Sequence, residues 1–143
     1  MENFIESLKK GEDTNRQFKE KINSIDKLAV EISAFANTNG GEIYLGVDDN
    51  AVIKGLSGDD IKRLNLWISN ATSQKIEPLL FVQTKIVLSD EKKVMIITVP
   101  LGSNKPYSVN KSEFWVKNGA DKRRASREEL FRLMQSSNRL SCR

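Results

Sequence analysis

The sequence predicts an α+β fold, a mixed sheet of five to six strands flanked by about four helices. Three observations carry that expectation. Apolar residues at helical spacing run to Phe35 and Ala36 and stop at Thr38. After Gly40-Gly41 they give way to the alternation of Ile43, Leu45 and Val47. Two further apolar runs, residues 81–88 and 93–99, are separated by the polar Ser89-Asp90-Glu91-Lys92, a hairpin signal. Near the end, Ser126-x-x-Glu129 forms a capping box that opens a last helix.

Taken in order, residues 2–10 read as a short helix with Phe4, Ile5 and Leu8 on one face, ended by Gly11. Residues 15–19 read as a strand anchored by Phe18. Ser24 caps a helix whose stripe is Ile25, Leu28, Ala29, Ile32, Phe35 and Ala36. Gly40 and Gly41 make the tight turn that follows, with Asn37 and Asn39 satisfying backbone groups around it. The strand over 42–48 delivers Asp48 and Asp49 to a surface, and a short strand around Val52-Ile53 comes after the next turn. Ser57 or Asp59 starts a helix with Ile61, Leu64, Ile68 and Ala71 at helical spacing, and Pro78 closes the connection. The run 95–99 is almost wholly apolar, which predicts a central strand, while Pro106 confines its surroundings to a loop or sheet edge. Residues 113–117 form another strand, ended by Asn118-Gly119. Trp115 within it is expected to be buried. The last helix turns Leu130, Leu133 and Met134 to the core. A single sheet with helices against it is the economical arrangement.

Composition narrows the function. A chain of 143 residues suits one domain, and the reading is a single domain with its core over about 11–135, as the N-terminal part of a longer regulator. No apolar run approaches the roughly 20 residues that span a bilayer. The start, Met1-Glu2-Asn3-Phe4, lacks the basic and apolar stretches of a signal peptide, so a cytoplasmic location without membrane attachment is expected. Cys142 is the sole cysteine and forms no internal disulfide. Histidine is absent, which excludes Ser-His and Cys-His nucleophile pairs and the usual zinc ligand. There is no P-loop signature. Chemistry is left to carboxylates, Lys, Arg and Tyr, so an enzyme built from this chain would work through a carboxylate-bound metal.

Net charge is +4 with a pI of about 9.2, unevenly spread. Residues 28–53 hold no Lys or Arg, only Glu31, Glu42, Asp48 and Asp49. Residues 117–132 hold six cations, Lys117, Lys122, Arg123, Arg124, Arg127 and Arg132, against three acids. A basic loop ahead of a helix favours phosphate contact.

The block Ala34-Phe35-Ala36-Asn37-Thr38-Asn39-Gly40-Gly41-Glu42-Ile43-Tyr44-Leu45-Gly46-Val47-Asp48-Asp49 resembles the signature of the Schlafen AlbA_2 domain. Gln17-Phe18-Lys19-Glu20 upstream, Gly55, Phe114-Trp115-Val116-Lys117-Asn118-Gly119 and Ala125-Ser126-Arg127-Glu128-Glu129-Leu130 downstream are similar to its flanking pieces, so the likeness spans roughly 11–135. The resemblance implies a DNA-binding module of the kind found in bacterial transcriptional regulators and helicase-related proteins. The charge distribution makes Lys19, Lys117, Lys122, Arg123, Arg124 and Arg127 the candidates for nucleic-acid contact, with DNA or RNA as the expected partner and no cofactor. Edge strands completed by a second copy would make a homodimer. Relatives that cut RNA imply an alternative, a metal-dependent endoribonuclease with Mg or Mn. Its three positions fall here on Glu12, Gln17 and Asp49, with Asp48 a substitute ligand beside Glu12 and Asp49. Gln17 stands where the pattern has Glu, and an amide oxygen ligates a cation without adding charge. A second alternative is an interaction or dimerisation domain with no nucleic acid role.

Overall fold

The computed structural model describes residues 4–141, with side chains to residue 136. The expectations for Met1 to Asn3 and for Cys142 lie outside the described residues. Four helices and eight strands are described: α1 (Phe4–Lys10), β1 (Arg16–Lys19), α2 (Ile25–Asn37), β2 (Gly41–Leu45), α3 (Gly58–Asn70), β3 (Ile76–Glu77), β4 (Gln83–Ser89), β5 (Lys92–Val99), β6 (Ser108–Val109), β7 (Glu113–Asn118), β8 (Asp121–Arg124) and α4 (Arg127–Ser141). A single π-helical turn, Ala71–Lys75, continues α3.

The strands form two four-stranded sheets, in the orders β1-β2-β5-β4 and β3-β6-β7-β8. This corrects the expected single sheet of five to six strands. The two-residue strands β3 and β6 are too short to show a period in sequence. β8 is polar at every position (Asp121, Lys122, Arg123, Arg124) and reads as a loop. The basic segment is therefore the second arm of a hairpin, paired from Trp115↔Arg124 to Asn118↔Asp121.

α2 is the centre of the molecule. Ser24 caps it, its hydroxyl accepting from the Lys27 N–H at 3.3 Å, and its apolar stripe extends until most of its circumference is buried. One side of α2 packs on the inner face of the first sheet with Ile43, Leu45, Met95, Ile97 and Val99, together with Leu64 and Ile68 of α3. The other packs on β6 and β7 of the second sheet. The outer face of the first sheet carries Phe18, Tyr44, Val94 and Ile96, covered by Leu8 of α1. Phe18 meets Tyr44 edge-on at 5.4 Å and Phe4 stacks on Tyr44 at 6.0 Å. Burial pushes the Tyr44 hydroxyl up to about 12.

β5 lies between β2 and β4, matching its apolar sequence. Asp90 and Glu91 take positive φ of 48° and 65° between β4 and β5, the two-residue primed turn that suits strand twist. Ser57 caps α3 in a reciprocal box with Asp60. Three expectations need correction. The strand from Gly41 ends at Leu45, so Asp48 lies in the following turn. Val52-Ile53 contributes one isolated bridge, Val47↔Ile53, in place of a strand. Met134 is 46% exposed, turned from the core, while Leu130 and Leu133 are half-buried.

Candidate functional site

β1 and β8 are edge strands of the two sheets, and a polar seam forms where they approach α2. Phe18 is committed to the outer face of the first sheet, so Gln17 and Lys19 project to the α2 side. Glu31 meets them. It sits in the buried stripe of α2, three residues after Leu28 and four before Phe35, and is 2% exposed. Its Oε2 lies 3.4 Å from Lys19 Nζ and 2.8 Å from Lys122 Nζ. Its Oε1 is buried and has no hydrogen-bond partner among the described residues.

Lys117 is buried beside this cluster. Its ammonium donates to Gln17 Oε1 at 2.8 Å and to the Ala120 carbonyl at 3.0 Å, and stands 4.6 Å from the centre of the Phe35 ring. The Gln17 amide donates to Glu12 Oε2 at 2.7 Å, and the same oxygen accepts from the Phe18 N–H at 2.8 Å. Burial lowers the Lys117 pKa from its ordinary 10.5, opposed by the fields of Glu31 and Glu12 and reinforced by Lys122 and Lys19.

Two open cavities share the Lys19 and Lys122 walls. One, of about 430 Å³, is polar and is lined by Gln17, Asn118, Asp121 and Arg123 besides those lysines. The other, of about 540 Å³, runs along α2 and is lined by Lys21, Ile22, Lys27, Val30, Glu31 and Trp115 among others. Between them they present five cations, Lys19, Lys21, Lys27, Lys122 and Arg123, against three carboxylates, Asp26, Glu31 and Asp121. Of these carboxylates, Asp26 is paired with Lys75 at 3.1 Å. Pairing with Lys75 and Asn110 also lowers the Asp26 pKa.

The residues expected from sequence separate into groups. Glu12, Gln17, Lys19, Lys117, Lys122 and Arg123 come together at the seam. Arg123 is already held, its guanidinium donating to both oxygens of Glu129 at 2.6 and 2.5 Å, which brings the Glu129 carboxyl down to about 2. Arg124 lies 3.5 Å from Glu113 and over the Trp115 ring at 5.3 Å. Trp115 is half-buried, and its indole N–H donates to Glu113 at 3.1 Å. Arg127 is exposed and lines a separate apolar hollow on α4 with Phe131 and Met134. Asn37 reaches beyond its turn and bonds Tyr107 and Trp115 backbone groups on the second sheet.

Of the three positions Glu12, Gln17 and Asp49, the first two are hydrogen-bonded to each other at 2.7 Å, while Asp49 lies in the turn beyond β2. β1 and β2 run parallel with Phe18 opposite Tyr44, and the Glu12 carboxylate is tied at that level by the Phe18 N–H. Asp48 and Asp49 come after the end of β2. Asp48 folds into its own turn, accepting from the Asn50 and Val52 N–H groups at 2.9 Å each, and Asp49 is exposed. Among the described residues no group of three or more His, Cys, Asp or Glu is placed to hold a metal ion, so the set Glu12, Asp48 and Asp49 does not fit one. The cation next to Glu12 and Gln17 is the ammonium of Lys117.

Glu31, Lys21 and Lys27 escaped the sequence reading as site residues. The signal for Glu31 was its place within the apolar stripe of α2, where an acid is buried only with partners.

Comparison with known proteins agrees with this architecture. The family model described as Schlafen, AlbA_2 matches residues 12–126. Among solved structures, the DIP2311 protein from Corynebacterium diphtheriae superposes with a TM-score of 0.61 at 24% identity over 87% of this chain. The match spans 24% of that protein's length, and the likeness is one of fold.

Proposed function

The chain belongs to the Schlafen AlbA_2 family, and from that premise we propose that it is a nucleic-acid-binding module that grips the phosphate backbone along the seam between β1 and β8. The observation that carries this reading is the convergence of Lys19, Lys21, Lys27, Lys122 and Arg123 on two adjoining cavities. Lys19 and Lys122 are anchored on Glu31, which fixes their direction, and about a third of each remains open to solvent. Arg123 borders the polar cavity but is engaged by both oxygens of Glu129, so the uncommitted positive charge comes chiefly from the lysines. The contact surface thus moves from the arginines expected in sequence toward the lysines of β1, α2 and β8. In the cell, the module would act in the cytoplasm as part of a longer transcriptional regulator.

Binding is expected to be salt-dependent, with a log–log slope of about −0.9 per phosphate for duplex and about −0.7 for single strands. The testing variant is Lys21→Glu/Lys27→Glu, because both side chains are exposed on the rim and have no bond to Glu31. The double variant should weaken binding and lower the slope by about 0.7–0.9 for each phosphate contact removed. Absence of binding at low salt, or binding that ignores salt, refutes the proposal.

The ribonuclease alternative fares less well. Glu12 and Gln17 adjoin, but Gln17 brings no charge and already accepts from the Lys117 ammonium, and Asp49 lies in the exposed turn beyond β2. The dimer has a specific observation in its favour. β4 is an edge strand with Ile86 46% and Leu88 66% exposed. Its pairing to β5 is one-to-one from Gln83↔Thr98 to Ser89↔Lys92, without a bulge. We propose that a second copy adds antiparallel to this edge.

A further inference from the structure

Resting on the nucleic-acid reading, we propose that the cavity along α2 receives an unpaired nucleobase, so that the module selects single-stranded over duplex nucleic acid. A groove that only follows phosphates needs cations and water. This cavity also has an apolar interior. Ile22, Val30 and the indole of Trp115 line it, and Lys21, Lys27 and Lys122 stand around them. Its volume of about 540 Å³ falls in the size range of sites for small aromatic ligands.

The polar group in its wall has the complementary chemistry. Glu31 is 2% exposed, and two ammonium groups hold one of its oxygens while the other has no partner among the described residues. That oxygen is closed to water, so the donor that satisfies it would be an N–H brought in by a ligand that shifts the Glu31 wall on entering. Nucleobases carry such donors on their edges and apolar faces above and below. In a duplex both are occupied, the faces by stacking and the donors by pairing. The second cavity adjoins at Lys19 and Lys122. A strand following the polar cavity with its backbone at Arg123 and Lys122 would turn one base past these lysines toward Trp115. Sequence-tolerant stacking with flanking cations is the general mode of single-strand recognition.

The experiment compares four ligands at low salt: a single-stranded oligonucleotide, the same strand with abasic sites, its duplex, and a free nucleoside monophosphate. Anisotropy reports affinity. Trp115 emission, read in a Trp67→Phe background, reports occupancy of the cavity. The single strand should bind about tenfold more tightly than the abasic strand or the duplex and should quench Trp115. Asn23→Leu, an exposed position on the cavity rim, should narrow the cavity and remove that preference while leaving the salt slope unchanged. Val30→Leu adds bulk from the α2 wall and should act the same way. Equal binding of the single strand, abasic strand and duplex overturns the inference and leaves phosphate binding standing. A preference that survives both cavity variants also overturns it, as does a monophosphate that binds as tightly as the strand. No binding by any ligand overturns the nucleic-acid reading itself.

Discussion

Asn37 joins the central helix to the second sheet through three hydrogen bonds. Its amide donates to the Tyr107 carbonyl at 3.0 Å and the Trp115 carbonyl at 2.9 Å, and its oxygen accepts from the Tyr107 N–H at 2.7 Å. All these groups are at least partly removed from water, so Asn37→Ala leaves them without partners. A loss of roughly 3 kcal/mol is expected in urea unfolding. Asn37→Asp should be no milder, because a carboxylate cannot donate to either carbonyl. A loss below about 1 kcal/mol would show that water or relaxation replaces these bonds. Thr38 adds to the junction by accepting from the Lys117 N–H at 2.8 Å. In sequence Asn37 reads as a turn residue, because its partners lie about 70 positions away and short-range patterns do not register them.

At the scale of elements, the Gly40-Gly41 turn shows how much local sequence can say. Gly40 has φ +71°, and a Cβ there would stand 2.8 Å from the Val99 carbonyl oxygen and the Leu101 nitrogen. Gly40→Ala therefore meets both backbone strain and a collision with backbone that cannot swing away. It should cost roughly 2–4 kcal/mol by thermal or urea unfolding. A near-neutral result would mean that the β5 exit shifts freely. Gly41 admits the Asn15 carbonyl, which accepts from the Glu42 N–H at 2.9 Å and starts the pairing of β1 with β2. α2, β2, β4, β5, β7 and the capping box of α4 all carry a readable period or cap. β8 was hidden by its charges, because a strand whose side chains face a polar seam has no apolar alternation to display.

For the whole molecule, two sheets enclose one helix, and the seam is the place where their edges meet it. The opposite edge, β4, faces solvent with only Lys85 charged along its length. Pairing of that edge with a second copy predicts a dimer by light scattering that Ile86→Lys/Leu88→Lys converts to monomer. The native protein remaining monomeric at high concentration, or an unchanged dimer in the variant, would refute it. Because β4 and the seam lie at opposite ends of the sheet order or on different sheets, the variant should retain nucleic-acid binding per subunit.

The amino-acid sequence alone determined the α+β class, the central helix, the hairpin of β4 and β5, the capped last helix and the family block, since each rests on periods, caps and turns of a few residues. Only the tertiary structure decided that there are two sheets, that Arg123 and Arg124 are engaged by Glu129 and Glu113, and that Glu31 is buried between Lys19 and Lys122. Those outcomes depend on which edges approach α2. Contacts across about 90 residues of chain, such as Glu31 with Lys122, leave no periodic trace in the segments that make them.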